Sequence, residues 1–235
     1  MSREVDINLI NTMAENSAYA INAYDLKNRK KFPYLPTKII DNFFDTPSVW
    51  REFALSQEYT EATTGTWPGT RTELLNDISN EIFEEFALQL LKHLPMYTGF
   101  HRLVASFHLI DETYGSGWIH DDDPTLDVSG IVYLTPNAPL GTGTTLYDDQ
   151  YDANAATFNK RFKEDVLYST PESRKQLEKY RLEQRSMFTP NTVIENVYNR
   201  CVIFDPRTWH SPNNFFGTTK ENTRLTLVFF AKGGR

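Results

Sequence analysis

Trp118-Ile119-His120-Asp121-Asp122 places an imidazole and a carboxylate two positions apart. If His120 lies at the end of a strand, that spacing sends both side chains to one face while Asp121 points the other way. A second imidazole, His210 in Trp209-His210, stands far along the chain, and a fold that brings it alongside completes a set of two histidines and one carboxylate. Neutral imidazole nitrogen and carboxylate oxygen suit iron(II), and three protein ligands leave metal positions open for oxygen chemistry, whereas four would close a structural zinc site. Fourteen residues beyond His210 comes Arg224, in Thr223-Arg224-Leu225-Thr226-Leu227-Val228. On a strand Arg224 and Thr226 share one face and the leucines the other. A guanidinium turned inward needs an anion, and its planar fork can make two charge-assisted hydrogen bonds to a carboxylate, to which Thr226 adds a hydroxyl.

Each of these residues also has a plainer reading. A lone His120 on a strand is more often a hydrogen-bonded buried histidine, and only Asp122 and His210 reverse that expectation. His210 is alternatively a turn residue before Pro212, and Arg224 a partner of a structural carboxylate or an exposed side chain. Asp121 and Asp123 suit a surface turn before Pro124. His93, His101 and His108 have no matching partner in the sequence and are expected in structural or surface roles. Trp67, Arg71, Arg207 and the Asn213-Asn214 pair are candidates for a substrate entrance, with ordinary structural roles the stronger reading, and Tyr133 and Thr145 divide evenly between cavity and packing.

These groups need a scaffold. Lys38 to Phe43 suits a short strand, and Thr46-Pro47 opens a helix with Trp50, Phe53 and Ala54 on one side. A second helix from about Asp77 carries Ile78, Ile82, Phe86 and Leu90 at spacings of four, a stripe fit to pack on a sheet, and Pro95 stops it. From Phe100 the period becomes that of strands: Arg102 to Ile110, Ser129 to Leu134, Thr144 to Tyr147, Arg200 to Asp205 and Arg224 to Ala231. Ser129–Leu134 and Thr144–Tyr147, joined by a turn from Pro136 to Gly143, read as a hairpin within one sheet. Residues 148–191 interrupt the rhythm as a charged insertion with a helix beginning at Thr170-Pro171-Glu172, either a lid, a partner surface or a solvated decoration carrying Lys160, Arg161, Arg174 and Lys175. The segment up to Tyr24 has helix-compatible spacing, and residues 28–36 form an irregular connector.

At 235 residues the chain is long enough for one domain with a substantial core. Its net charge of −7 argues against broad attraction to nucleic acid or an anionic membrane. No apolar run approaches a membrane span, and the N-terminus lacks a secretory pattern, so a cytoplasmic location is expected. Cys201 is the single cysteine; it allows no internal disulfide and reads as a small core residue.

In the ordered set His120-x-Asp122, His210 and Arg224, the sequence resembles the Fe(II)- and 2-oxoglutarate-dependent oxygenases, in particular their prolyl-hydroxylase-like branch and related oxygenases of phages and marine bacteria. The likeness runs from about Lys38 to Ala231 and includes Ile40-Asp41-Asn42-Phe43-Phe44 and Trp67-Pro68-Gly69-Thr70-Arg71 upstream. It implies a mainly β (α+β) fold: a double-stranded β-helix, or cupin-like jelly roll, over residues 100–235, braced by a mainly helical lead-in over 1–99, the whole a single oxygenase domain in a bacterial or phage-infected host cell. It implies His120, Asp122 and His210 as iron ligands, and Arg224, Thr226 and Tyr114 as contacts to 2-oxoglutarate. The approach Gly115-Ser116-Gly117-Trp118 departs from the tyrosine-containing one of similar prolyl hydroxylases, which leaves Tyr114 the weakest of the three. The implied reaction consumes 2-oxoglutarate and dioxygen, releases succinate and carbon dioxide, and hydroxylates a C–H bond; retention of the Asp122 carboxylate separates the chain from halogenating members. The expected substrate is a prolyl or other peptide residue, with a free amino acid or small metabolite second. A non-catalytic metal-binding jelly roll and a cupin enzyme without 2-oxoglutarate are the competing classes, against which Arg224 with Thr226 argues.

Overall fold

Between Arg224 and Ala231 every second side chain, Leu225, Leu227, Phe229 and Ala231, is fully buried, the mark of a strand laid on a core. The computed structural model describes residues 35–61, 67–148 and 171–234. Its strands are β1 (Lys38–Ile40), β2 (Thr60–Glu61), β3 (Thr70–Arg71), β4 (Gly99–Ile110), β5 (Val128–Tyr133), β6 (Thr144–Tyr147), β7 (Pro190–Ile194), β8 (Cys201–Phe204), β9 (His210–Pro212) and β10 (Arg224–Gly234). Its helices are α1 (Pro47–Ser56), α2 (Leu75–Ile78), α3 (Asn80–Lys92) and α4 (Pro171–Arg185). The strands form two antiparallel sheets, a seven-stranded one in the order β1-β8-β5-β10-β4-β3-β2 and a three-stranded one in the order β7-β6-β9. The architecture is thus antiparallel and sheet-rich, of α+β type.

The large sheet is covered on both faces. Leu225, Leu227, Phe229 and Ala231 join Ala105, Phe107 and Leu109 of β4 in one apolar cluster with Trp50 and Ala54 of α1 and Phe86 and Leu90 of α3. The Phe86 and Phe229 rings meet edge to face at 5.2 Å, and truncating a phenylalanine so placed costs about 3–5 kcal/mol. Gly130 of β5 is small for a reason: a Cβ there would stand 2.2 Å from the Phe229 ring. On the other face Ile131, Tyr133, Val202 and Phe204 pack against Leu146 and Ile194 of the small sheet. Arg224, Thr226 and Val228 turn towards this side by the strand period.

Several expectations needed correction. β5 and β6 are not a hairpin: both edges of β5 are taken, by β8 and by β10, so the chain crosses to the small sheet and β6 pairs with β7 and β9 instead. The second helix does not start at Asp77. Ser79 breaks it, its hydroxyl accepting from the Ile82 N–H, so that α2 ends and α3 begins there. β7 and β9 carry too few residues, or too exposed an alternation, to stand out as strands. The expected segments up to residue 34 and Lys160 and Arg161 lie outside the described residues.

Candidate metal centre

His120 and His210 are direct cross-strand partners. His120 N–H donates to His210 C=O at 2.9 Å and His210 N–H donates to His120 C=O at 2.8 Å, an isolated antiparallel bridge beside β9. Such a pair puts both side chains on one face within reach of each other, and the imidazole centroids are 4.3 Å apart. Asp122 is not on a regular strand. Its N–H donates to Pro206 C=O at 2.8 Å, which ties it to the loop that leads into His210. From there its Oδ1 lies 3.9 Å from His120 Nε2 and its Oδ2 3.6 Å from His210 Nε2. The three potential ligand atoms fall within 4.8 Å of one another, a grouping able to hold a metal ion.

The ring orientations are fixed from behind. Nδ1 of His120 lies 2.8 Å from Trp118 C=O, and Nδ1 of His210 lies 2.9 Å from Thr208 C=O. A carbonyl oxygen only accepts, so each Nδ1 carries a proton and Nε2 is the ring atom left to face the carboxylate and the shared space. Burial raises the Asp122 carboxyl above its usual range, opposed by the adjacent His210 and by Ser129. A buried carboxylate between two Nε2 atoms is a site whose charge calls for a cation.

The helix of the charged insertion holds this segment in place. Gln184 of α4 accepts from Ile119 N–H at 3.0 Å and donates to Ile119 C=O at 2.7 Å. Arg181, also buried, donates to Tyr114 C=O at 2.7 Å and to Ser116 C=O, and Arg185 donates to Gly117 C=O at 3.3 Å. α4 therefore satisfies the backbone of the irregular approach to His120, with Arg181, Gln184 and Arg185 together meeting four of its carbonyl groups. In the sequence this segment reads only as a helix with a charged face, with no signal that Arg181 and Gln184 are buried.

Arg224 is 2% exposed, and its Nε and Nη2 have no hydrogen-bond partner among the described residues. Aromatic rings wall it: Tyr133 with its centroid 5.5 Å from the guanidinium carbon, and Phe215 at 5.8 Å. Burial pulls its pKa down, with Tyr133 opposing. Thr226, on the same face, is fully buried with its hydroxyl also unpartnered. Thr226 stands opposite Tyr133 on β5 and His108 on β4, so these three form one row across the sheet. Tyr133 donates to Thr144 Oγ1 at 2.7 Å. Tyr114 packs with Ile110, Trp118 and Phe215, adjoining the Arg224 pocket through Phe215.

The remaining expected residues separate cleanly. Arg207 forks onto Asp205 at 2.6 and 2.7 Å, a structural pair. Asn213 accepts from Thr145 and Asn214 donates to Gly141 C=O. Asp123 caps the Thr125 turn. Trp67 and Arg71, by contrast, reach the site: the Trp67 ring meets His120 edge to face at 6.2 Å, and the Arg71 guanidinium lies 4.5 Å from the Trp67 centroid. His108 was missed. It is buried on the site face, 3.1 Å from Ser106 Oγ, and burial together with Arg71 and Arg224 holds its pKa well below the usual value. The alternation Ser106-x-His108-x-Ile110, read against Arg224-x-Thr226, is the signal that places it.

The profile of DUF6445, a family of unknown function, matches residues 30–231. No curated protein matches the sequence. Among solved structures the fold is similar to that of HygX from Streptomyces hygroscopicus with nickel and 2-oxoglutarate bound, at 11% identity and a TM-score of 0.52, covering 91% of this chain and 88% of that one. It is also similar to a Trichoplax adhaerens prolyl hydroxylase in complex with a hypoxia inducible factor peptide fragment, at 12% identity and a TM-score of 0.50, covering 98% and 94%. HygX with nickel, 2-oxoglutarate and hygromycin B bound aligns at 10% identity and a TM-score of 0.50, covering 90% and 88%. At such identities the likeness is one of fold.

Proposed function

We propose, from the premise that the chain belongs to the family DUF6445, that this protein is an Fe(II)- and 2-oxoglutarate-dependent dioxygenase that hydroxylates a C–H bond. The observation that carries this reading is the pairing of two unsatisfied groups of opposite need on one face. One is the His120, Asp122 and His210 cluster, whose donors suit a cation; the other is the buried Arg224 with Thr226, whose unpaired nitrogens and hydroxyl suit an anion that no described residue supplies. Iron(II) and the distal carboxylate of 2-oxoglutarate fit these needs in charge, donor type and hydrogen-bonding capacity. The similarity of fold to HygX and the Trichoplax hydroxylase supports it. The two sheets are read as a double-stranded β-helix, residues 1–99 as its lead-in, and the chain as a single oxygenase domain with α4 in its insertion.

Iron with 2-oxoglutarate and dioxygen supplies the oxidising power, in a reaction that yields succinate, carbon dioxide and the hydroxylated substrate. The chain's own residues do the positioning. His120, Asp122 and His210 would hold the metal, and a set of three protein ligands would leave positions for the reactants. Arg224 and Thr226 fix the far end of the co-substrate, with Tyr133 and Phe215 as low-dielectric walls that strengthen the ionic contact. Tyr114 lends support through Phe215. Ile131, Val202, Phe204 and Leu146 keep water from the space between the sheets. The organic substrate, peptidyl or small-molecule, approaches from the Trp67 side of His120.

Anaerobic titration tests the reading. Iron(II) followed by 2-oxoglutarate should give a weak visible charge-transfer band with the wild-type protein. Asp122→Ala should abolish it, and Arg224→Gln should demand far more 2-oxoglutarate to reach it. A wild-type protein that binds iron but develops no band at millimolar 2-oxoglutarate would end the proposal.

A further inference from the structure

Two guanidiniums, not one, lie on the site face without a carboxylate partner among the described residues. Arg71 of β3 stands directly opposite His108 of β4, while Arg224 of β10 stands opposite Ile110 on the other side of the same strand. By the strand period all four side chains lie on one face. The Arg71 Nε is sealed from solvent and has no hydrogen-bond partner, and no carboxylate among the described residues pairs with the guanidinium. Burial draws its pKa down to about 10, with no acidic group offsetting the shift. A buried guanidinium nitrogen left in this state is costly unless a ligand completes it.

The two arginines lean to different walls. Arg224 is held between Tyr133 and Phe215, whereas Arg71 lies over Trp67, whose ring edge in turn meets the His120 imidazole. Their strands are separated by β4, so the backbones that carry them are about 10 Å apart. The segment that presents Trp67 and Arg71 is also rigidly seated. Thr72 N–H donates to Phe107 C=O at 3.0 Å, Phe107 N–H donates back to Thr72 Oγ1 at 3.1 Å, and Gly69, with a φ of 74°, lets the turn press against Leu109 and Ile110. A built seat for an anion therefore lies beside His120, apart from the one at Arg224.

We infer that Arg71 and Trp67 form the primary-substrate subsite, and that the substrate is a small organic acid whose carboxylate pairs with Arg71 while a nearby C–H bond faces the metal. This rests on the dioxygenase reading for the fate of that bond, but not for the binding of the acid. A free or N-acylated amino acid is the simplest ligand of this kind: its carboxylate takes the guanidinium fork and its side chain stacks beside Trp67. The prolyl peptide first expected from the sequence offers a neutral amide where this seat offers a cation.

The test is a thermal-shift titration of the full chain with Mn(II) and with N-oxalylglycine, an unreactive 2-oxoglutarate analogue, each present or omitted. The probes are the proteinogenic L-amino acids and their N-acetyl derivatives, each beside its own carboxamide. At least one acid should raise Tm and bind about ten-fold or more tightly than its carboxamide. Arg71→Gln should erase that preference while keeping the shift given by N-oxalylglycine, and Arg224→Gln should do the reverse. Arg71→Lys, which keeps the charge, guards against a folding defect and should retain the preference for acid over amide at reduced affinity. Acids and carboxamides that behave alike across the panel, or an Arg71→Gln variant that loses N-oxalylglycine and acid equally, would overturn the inference. If N-oxalylglycine gives no metal-dependent shift in the wild type, the dioxygenase reading fails, while the comparison of acid with amide at Arg71 still decides this one.

Discussion

Gln184 bonds both backbone groups of Ile119, the residue immediately before the first histidine of the metal cluster. A helix from the charged insertion thus sets the position of His120, although none of its residues belongs to the cluster.

Replacing Gln184 with Ala should strand a buried N–H and C=O at Ile119. A loss of about 1–3 kcal/mol is expected in urea unfolding. Since His120 would lose its fixed starting point, Mn(II) affinity measured by calorimetry should fall about ten-fold. Unchanged metal affinity in a destabilised Gln184→Ala protein would show that α4 serves folding alone.

Arg224→Leu should move stability and binding in opposite directions. Without co-substrate it removes an enclosed cation that has two unpaired nitrogens and no carboxylate partner among the described residues, so Tm should rise, by an amount equivalent to about 1–2 kcal/mol. Affinity for 2-oxoglutarate should drop by about 100-fold or more. Arg224→Lys should fall between, because an ammonium lacks the planar fork. A stability loss in Arg224→Leu would mean that the contacts with Tyr133 and Phe215 outweigh the cost of burying the charge.

Gly117→Ala should disturb the centre from a different direction. A Cβ at this position would stand 2.4 Å from Pro212 Cγ and 2.6 Å from Pro212 O, at the end of the strand that begins with His210. Overpacking of this kind costs about 1–3 kcal/mol. Because Gly117 precedes one histidine and Pro212 follows the other, Mn(II) affinity should weaken in parallel, as a calorimetric titration would show.

Asp205 gives a pH signature. Burial alone would raise its pKa, but hydrogen bonds from the Arg207 side chain and backbone and from Leu35 N–H overcome this and hold it below 3.8. A carboxylate with a lowered folded-state pKa contributes stability above its unfolded value, and that contribution disappears as pH falls through the folded value. Asp205→Asn should therefore cost about 1.5–3 kcal/mol at pH 7 and progressively less below pH 3.8, so that the two unfolding profiles converge in acid. Parallel profiles across that range would refute the assignment.

Much of the scaffold was legible because its signals are local. The alternation in Arg224–Ala231, the stripe Phe86 and Leu90, and the Thr46-Pro47 and Pro171-Glu172 helix starts are each decided by neighbours a few residues away, and each element formed. What failed was pairing. Thr144–Tyr147 is as strand-like as expected, but its partners depend on which edges of β5 are already filled, and β8 and β10 arrive from much later in the chain. His108 looked isolated for the same reason: Arg71 and Thr226, which give it meaning, are its neighbours only across strands.

The sequence by itself determined which groups are available for chemistry: two imidazoles, a carboxylate and an arginine with a threonine two residues on, the last two on a strand whose periodicity fixes their face. Only the tertiary structure decided that His120 and His210 exchange backbone hydrogen bonds, that α4 clasps the approach to His120, and that Arg71 joins Arg224 on the same wall. The division has a physical cause. Side-chain direction follows from the backbone period within a segment, whereas adjacency of distant segments follows from which sheet edges and apolar faces remain open once the rest of the chain has packed.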